Sequence, residues 1–468
     1  MSRRLVVIAV IVAVLVGGAI IDRRPRPGLP PAPSLPGQDM PVAAPASALS
    51  SSWYCVAGGG GDTSIVIANP TDASVRGRVT VVGNNGARAS TAVVVPPVGR
   101  VTVNEKDLLS SPYAAALVDL DGGEVVAEQL LVTAAGTMST PCASATSDHW
   151  YLADGSTAKD ATLLVALFNP FADDAIVDFT FSTEQGPTTP IDFQGVVVPA
   201  HGLLMADIGA HVRRRDHVAT AMAVRTGRIV AAGIQTFAAG SPRKGAAVVL
   251  AAPSLGHTWL FPDGYVAPGI TERFWIYNPT RTDAEVELVL DLERGSAEPF
   301  DLTVRAGADL ALTVNGESRV PPAVPHAARL RSTNGVPFVV ARSIDVTAPS
   351  PRSGYSSTVG ARQTAKRWLL AAGGPTETLD EWVVVQNPGD RAVTIAVRGL
   401  ADRQLLPVEG LQNVVIPAHG RQAFRLGDHL KRAALPVLVT ADGPVVVERE
   451  LYGVKAPGIN SAIGVPLP

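Results

Sequence analysis

The sequence predicts an all-β protein: four tandem Ig-like β-sandwich repeats after an N-terminal transmembrane helix and a Pro-rich linker. Two markers recur four times, a tryptophan and a later Asn-Pro pair. The tryptophans are 97, 109 and 109 residues apart, and the pairs are 100, 109 and 109 apart. Because both markers shift together, the repeated unit has the size of a domain. The markers are Trp53, Trp150, Trp259 and Trp368, and Asn69-Pro70, Asn169-Pro170, Asn278-Pro279 and Asn387-Pro388.

The composition agrees with short strands joined by turns. The 468 residues include 44 Gly and 38 Pro, and only 17% are charged. Such a composition favours strands over helices. The net charge is -3 and no basic stripe is present, so we expect no nucleic-acid partner.

The N-terminus is predicted to anchor the protein in a membrane. Residues 5–21 carry no charge and follow Arg3 and Arg4, which matches a short membrane-spanning helix with a cytoplasmic flank. We assign residues 1–21 to an uncleaved signal-anchor. A cleaved signal peptide, with small residues at 17–19, and a buried core helix are the alternatives. The uncleaved anchor predicts a single-pass membrane protein whose C-terminal bulk is extracytoplasmic.

Residues 22–52 are predicted to form a disordered linker. They hold eight prolines between Pro25 and Pro45, with Ala and Ser among them. Such a segment buries too little apolar surface to fold and tends to be extended. At about 3.1 Å per residue it would span up to roughly 90 Å.

The chain has two cysteines, Cys55 and Cys142, near the start and the end of the first repeat. An isolated pair in an exported chain favours a disulfide. Two buried free thiols are the alternative.

The first repeat illustrates how strands and turns alternate. An apolar run at 64–68 ends at Asn69-Pro70, because proline cannot donate to a ladder and restricts its predecessor. Hairpin turns are predicted at 84–86 and 121–123. The repeats are assigned to residues 53–148, 149–256, 257–365 and 366–468. A β-propeller with two blades per repeat is the alternative fold.

No residue pattern in the sequence predicts a catalytic, cofactor-binding or metal-binding site. Gly58–Gly61 lacks the Gly-Lys-Ser/Thr of a phosphate loop. His201 and His419 occupy equivalent turns in separate repeats, which predicts solvated turn residues. Glu448 and Glu450 share one face of a strand and are expected on a solvated sheet face.

The repeated tryptophans are predicted to be core residues, and the Asn-Pro pairs to be turns that end strands. Trp275 and Trp382, which precede two of the Asn-Pro pairs, are also expected in the core. The alternative is that exposed aromatic side chains stack on sugar rings. Aromatic residues make up only 5% of the chain, which is low for a glycan-binding protein.

Several motifs together resemble a β-rich repeat of secreted or membrane-anchored actinobacterial surface proteins, a domain of unknown function. They are Trp53-Tyr54, Trp150-Tyr151, the Asn-Pro pairs, Val198-Pro199-Ala200, Ile416-Pro417-Ala418 and the strand at 445–451 with Glu448-Arg449. The resemblance covers residues 53–468 and implies an envelope-associated, extracytoplasmic protein. In repeats of this kind a glutamate often follows the opening tryptophan, and this chain lacks it. Asp154 and Asp263 lie near that position in the second and third repeats, and glycine fills the region in the other two.

We therefore expect a non-enzymatic structural or interaction protein of the bacterial cell envelope, without cofactors. Its expected partners are the cytoplasmic membrane, through the N-terminal helix, and envelope proteins or cell-wall glycan. The alternative function is an array of carbohydrate-binding modules that acts on cell-wall glycan. A hydrolase hidden in one divergent repeat is a third hypothesis.

Overall fold

The computed structural model describes residues 41–59, 62–373, 377–401, 403–430, 435–454 and 456–468, which belong to one compact unit. The predicted membrane helix at 1–21 and most of the predicted linker lie outside the described residues. Within these residues, no helix is long and apolar enough to cross a membrane.

The described chain is all-β, with antiparallel pairing throughout and four 3-10 helices. The first repeat contains β1 (Ser51–Gly59), β2 (Asp62–Asn69), β3 (Val75–Gly83), β4 (Arg88–Val95), β5 (Gly99–Asn104), β6 (Tyr113–Leu120), β7 (Val126–Thr133) and β8 (Gly136–Pro141). The second contains β9 (His149–Leu152), β10 (Ala161–Asn169), β11 (Ala175–Thr183), β12 (Gly186–Thr188), β13 (Val196–Val198), β14 (Gly202–Asp207), β15 (Val218–Thr226), β16 (Val230–Phe237) and β17 (Gly245–Leu250).

The third repeat contains β18 (Thr258–Phe261), β19 (Ile270–Asn278), β20 (Ala284–Leu292), β21 (Phe300–Val304), β22 (Ala308–Thr313), β23 (His326–Ser332), β24 (Val339–Val346) and β25 (Gly354–Val359). The fourth contains β26 (Ala365–Leu370), β27 (Leu379–Asn387), β28 (Val393–Leu400), β29 (Leu405–Ile416), β30 (Gly420–Arg425), β31 (Val437–Gly453), β32 (Ile459–Ile463) and β33 (Val465–Pro466). The 3-10 helices are Glu105–Asp107, Ile191–Phe193, Ile208–Ala210 and Leu426–Asp428.

Each repeat folds into two sheets with one strand order. In the first repeat the orders are β1-β6-β3-β4 and β5-β2-β7-β8. The third repeat follows the same scheme, with β18-β23-β20-β21 and β22-β19-β24-β25. The second repeat splits its fourth strand into β12 and β13, and the fourth repeat joins its sixth and seventh strands into the long β31. The two sheets of a repeat share one apolar core, as in a β-sandwich.

The four repeated tryptophans lie in these cores and are at most 1% exposed. The indole Nε1 of Trp150, Trp259 and Trp368 donates to the carbonyl of Ile229, Phe338 and Val445, each at 3.0 Å. Each carbonyl precedes the seventh strand of its own repeat or lies within it. The indole therefore ties the first strand, in one sheet, to the seventh strand, in the other.

The asparagines of the Asn-Pro pairs are also buried, and they do more than end a strand. The Asn278 amide nitrogen donates to the Thr282 carbonyl at 2.8 Å and to the Val304 carbonyl at 2.9 Å. Its oxygen accepts from the Thr280 N–H at 3.0 Å. Equivalent bonds form at the other three asparagines. The side chain thus bonds to the backbone of the turn after its own strand and to the buried edge strand of the other sheet, which an apolar residue could not do.

The disulfide between Cys55 and Cys142 is present, as predicted. The contact extends beyond the two cysteines, because their neighbours Tyr54 and Ala143 exchange backbone hydrogen bonds. The disulfide therefore joins the first strand of the repeat to the segment that follows β8.

The four repeats form a closed ring. The eighth strands meet in its centre: β8 contacts β17, β17 contacts β25, β25 contacts β32, and β32 contacts β8. Backbone N–H groups bind across these contacts, from Ser139 to the Asn460 side chain at 2.7 Å and from Ser461 to the Ser356 hydroxyl at 2.8 Å. The contact between β32 and β8 joins the fourth repeat to the first, the two ends of the repeat array.

Glycine permits the close approach at this centre. Each eighth strand has a glycine with positive φ at or directly before its first residue: Gly136, Gly245, Gly354 and Gly458. A Cβ on Gly136 would lie 2.5 Å from the Cα of Gly458. Any larger residue would separate the first and fourth repeats.

The end of the predicted linker is packed against the ring. The Ala43 N–H donates to the Pro466 carbonyl at 3.1 Å, and the Glu124 N–H donates to the Ala44 carbonyl at 2.7 Å. Ala43 is buried in the core of the first repeat. The prediction of disorder is therefore wrong for these residues, because backbone bonds to the first and fourth repeats hold a segment that could not fold alone.

Candidate functional site: the interface between the third and fourth repeats

Two of the four interfaces of the ring contain the same buried ion pair. Arg342 of the third repeat donates to Glu448 of the fourth at 2.9 Å. Arg449 of the fourth repeat donates to Glu128 of the first at 2.5 Å. All four side chains are at most 1% exposed. The arginines occupy equivalent positions of the seventh strands, and the glutamates lie one position earlier.

The other two interfaces lack both members of the pair. The arginine position holds Gln129 in the first repeat and Gly233 in the second. The facing glutamate position holds Ala232 and Ala341. Arginine and glutamate are thus present together or absent together, as expected if a buried charge requires its partner.

The solvated sheet face expected for Glu448 and Glu450 is therefore wrong. Both are buried between the third and fourth repeats, where Glu450 accepts from Arg342 at 3.3 Å and from the Ser461 hydroxyl at 2.6 Å. A strand pattern shows which residues share a face but not what covers that face. Here the neighbouring repeat covers it.

A cleft of about 230 Å³ remains at this interface, beside the buried ion pair. Its walls combine aromatic, acidic and basic side chains. They include Asp263, Tyr265, Arg352, Trp382, Val384, Arg421, Glu450, Tyr452, Ile459 and Ser461.

The cleft exists because two large side chains of the preceding interface have small counterparts here. Between the second and third repeats, Trp275 packs against His217 with ring centres 5.5 Å apart, and Tyr355 packs against Phe237 at 5.0 Å. The equivalent positions of the fourth repeat hold Val384 and Ile459, which line the cleft. The loss of side-chain volume leaves the space open.

The charged groups of the cleft are paired within the protein. Arg421 donates to Asp263, and Arg352 donates to Asp380 at 2.6 Å. Burial, reinforced by the adjacent Glu448, raises the pKa of Glu450 well above its ordinary value. Arg342 lies between Glu448 and Glu450 and pairs with both, at 2.9 and 3.3 Å. The cleft is thus polar but carries no unpaired charge among these groups.

The indole ring of Trp382 forms part of the wall of the cleft. Its Nε1 is buried, so it does not donate into the open space, and it has no partner among the described residues. The Nε1 of Trp275, in contrast, donates to the Ser343 hydroxyl at 2.8 Å. Trp275 belongs to the buried core as predicted, but Trp382 does not, because it lies two positions earlier relative to its Asn-Pro pair.

The two repeated histidines lie in turns and outside the cleft. His201 and His419 have positive φ, and their backbone N–H groups donate to the Phe171 and Gly389 carbonyls. Within the described part of the chain, no group of three or more His, Cys, Asp or Glu side chains could hold a metal ion.

A second cavity, of about 90 Å³, lies on the axis of the ring. Equivalent residues of the four eighth strands line it, together with Trp259 and Trp368: Thr140, Val249, Thr358 and Ala462. It is smaller than the cleft, and Arg362 is the one charged residue among those that line it. The cleft therefore has the more varied recognition chemistry.

The chain is similar to three solved structures. The crystal structure of Thermotoga maritima 1070 is 20% identical and has a TM-score of 0.21, covering 23% of this chain and 94% of that one. A tetra-tandem repeat from the extending region of a large adhesion protein is 12% identical over 85% of this chain and 92% of that one, with a TM-score of 0.10. The Streptomyces avermitilis α-L-rhamnosidase complexed with L-rhamnose is 10% identical over 80% and 53%, with a TM-score of 0.12. At these TM-scores none bears on fold or function.

No curated protein matches the chain. The matching family model is described as a family of unknown function (DUF5719). It matches residues 119–317, from the end of the first repeat into the third.

Proposed function

We propose that this chain is a non-enzymatic structural or interaction protein of the bacterial cell envelope, held outside the cytoplasm by its N-terminal segment. The observation that carries the proposal is the closed ring, in which buried contacts join every repeat to both neighbours. Such a ring holds four repeats in a fixed arrangement and offers their outer surfaces to partners. The Cys55–Cys142 disulfide supports an oxidising compartment.

The acids of the cleft favour a non-enzymatic role. Asp263 is engaged by Arg421, and Glu450 by Arg342 and Ser461. A general acid–base pair must instead have its oxygens available to substrate or water. These carboxyl groups are better explained as parts of the interface.

Capture from envelope extract tests the proposal. The full-length tagged chain is incubated with solubilised envelope proteins and, separately, with insoluble wall polysaccharide, and the heat-denatured chain is the control. We expect retention of one or a few envelope components by the native ring alone. Equal retention by the denatured chain, or cytoplasmic location in cells probed with an external protease, would contradict the proposal.

A second candidate function is carbohydrate binding, and the cleft favours it. Trp382, Tyr265 and Tyr452 line the cleft beside polar side chains. Aromatic rings next to hydrogen-bonding groups suit sugars, whose rings have one apolar face and many hydroxyls.

For the fold, we propose an Ig-like sandwich with exchanged edge strands. In the first repeat the second strand pairs with the fifth and the third with the sixth, as in Ig domains. The first strand, however, lies beside the sixth, and the seventh beside the second. A propeller with sequential blades is disfavoured, because each four-stranded sheet mixes strands from both halves of its repeat. We also retain the proposal of actinobacterial surface origin.

A further inference from the structure

We propose that the cleft between the third and fourth repeats binds a single neutral sugar ring, free or at the end of a glycan. This inference rests on the second candidate function and names its site and ligand class. It begins with size: the cleft is about 230 Å³, below the roughly 300 Å³ at which drug-sized ligand sites begin. One sugar ring suits this space better than an extended oligosaccharide.

The walls supply both kinds of contact that a sugar needs. Trp382 and Tyr452 offer aromatic surface to the C–H groups of a ring. Asp263, Glu450 and Ser461 line the same cleft and place hydrogen-bonding oxygens beside these rings. A sugar hydroxyl can donate to such oxygens and accept a hydrogen bond in turn.

The electrostatics select a neutral ligand. Arg421 and Arg352 are each paired with an aspartate, and Glu450 accepts from Arg342 and from the Ser461 hydroxyl. A uronic acid or an amino sugar would bring a charge that no group in the cleft is free to balance. Burial of such a charge is costly. Neutral hexoses, pentoses and deoxyhexoses are therefore favoured.

The comparison between repeats supports a site that is particular to this interface. At the preceding interface the same space is filled by Trp275 and Tyr355, whereas Val384 and Ile459 leave it open here. Restoring the large residues should close the site without introducing a charge or a polar group into the core.

Saturation-transfer NMR and calorimetry test the inference on the full-length chain, purified in a detergent without a sugar headgroup. The probes are a panel of neutral hexoses, pentoses and deoxyhexoses, with glucuronic acid and glucosamine as charged counterparts. We expect at least one neutral sugar to bind with a Kd of about 1 mM or below, the value that ordinary ligand efficiency gives for about twelve heavy atoms. The charged counterparts should bind at least tenfold more weakly.

Three variants connect binding to the cleft. Val384→Trp fills it with the residue of the third repeat, and Trp382→Phe replaces the indole wall of the cleft by a smaller ring. Both should weaken binding at least tenfold. Val415→Trp, on the exposed face of β29, is the matched control and should bind normally. Thermal midpoints identify variants that fail to fold, and Trp382→Phe keeps the test valid if Val384→Trp misfolds.

Two results would overturn the inference. One is that no neutral sugar binds to the folded protein. The other is that a sugar binds equally well to folded Val384→Trp and Trp382→Phe. If the ring nevertheless captures an envelope protein, the structural role stands and only the sugar site is refuted.

Discussion

Replacement of Arg449 by glutamine should open the ring at its closing interface. Arg449 of the fourth repeat is fully buried and donates to Glu128, to the Ser139 hydroxyl and to the Ala372 carbonyl. The contact spans 321 residues of sequence, so it joins the ends of the repeat array. Glutamine is a reasonable test residue because Gln129 occupies the equivalent position of the first repeat.

The expected cost is large because Glu128 would remain buried without its counter-charge. Breaking a buried ion pair by removing one partner typically costs about 3–5 kcal/mol. Glu128 keeps its bonds from the Ala371 and Ala372 N–H groups, at 3.0 and 2.9 Å. We therefore expect Arg449→Gln to lower the free energy of unfolding by about 3 kcal/mol, at the lower end of that range.

A double variant measures the interaction between Glu128 and Arg449 apart from the contacts that each makes with other residues. Glu128→Gln alone leaves a buried guanidinium without its carboxylate, so it should cost about as much as Arg449→Gln. Glu128→Gln with Arg449→Gln removes both charges. The glutamine keeps an acceptor for only one of the two backbone N–H groups, because Ala371 and Ala372 donate to different carboxylate oxygens. We expect the double variant to be less destabilised than the sum of the single variants by about 1–3 kcal/mol.

Urea denaturation followed by tryptophan fluorescence and by circular dichroism measures these free energies, and coincident curves establish a single transition. Arg331→Gln is the matched control, because Arg331 pairs with Glu287 at 3.0 Å on an exposed face. Its loss should cost less than about 1 kcal/mol. The reasoning is refuted if Arg449→Gln is no more destabilising than this control, or if the single effects add fully in the double variant.

Four further predictions concern other contacts. Replacing both Cys55 and Cys142 by serine should lower the free energy of unfolding by up to about 4–5 kcal/mol in the loop-entropy model. Urea denaturation of this variant and of the oxidised protein measures the difference, and equal midpoints would contradict the prediction. Asn278→Ala should cost about 2–4 kcal/mol, because buried backbone groups lose their partners, and an effect below 1 kcal/mol would refute the bridging role. Burial raises the pKa of Glu105 to about 7, so the wild type should lose stability as pH rises from about 4.5 to above 7. Glu105→Gln should therefore be more stable than wild type by up to about 3 kcal/mol at pH 8 and similar at pH 4, and parallel pH profiles would exclude this cause. Gly136→Ala should cost more than about 2 kcal/mol in thermal unfolding, since its Cβ would collide with the backbone of the fourth repeat; a wild-type midpoint would show that the ring centre can relax.

Local sequence signals predicted the elements within each repeat. The run at 64–68 lies in β2, and the predicted turns at 84–86 and 121–123 lie between β3 and β4 and between β6 and β7. These features depend on alternation of apolar residues and on turn chemistry, which act over a few residues. The disulfide followed from the count of cysteines alone.

The candidate site was missed because its signal is a comparison between repeats. Val384 and Ile459 are ordinary strand residues, and they become informative only when set against Trp275 and Tyr355 at the same positions. The alternation along its strand placed Glu448 with Glu450 on a solvated face. Its partner Arg342, which lies 106 residues earlier, gives no local signal. Alternation along a strand cannot show which repeat covers its outer face.

The sequence by itself determined the β class, the fourfold repetition of its markers and the disulfide, because each depends on residue type and short-range spacing. Only the tertiary structure decided that the repeats close into a ring, that Glu128 and Arg449 meet at its closure, and that Val384 and Ile459 leave a cleft. These features arise where faces of different repeats meet. Complementary volume and charge across such contacts are properties of pairs of residues far apart in the chain, and no local pattern records them.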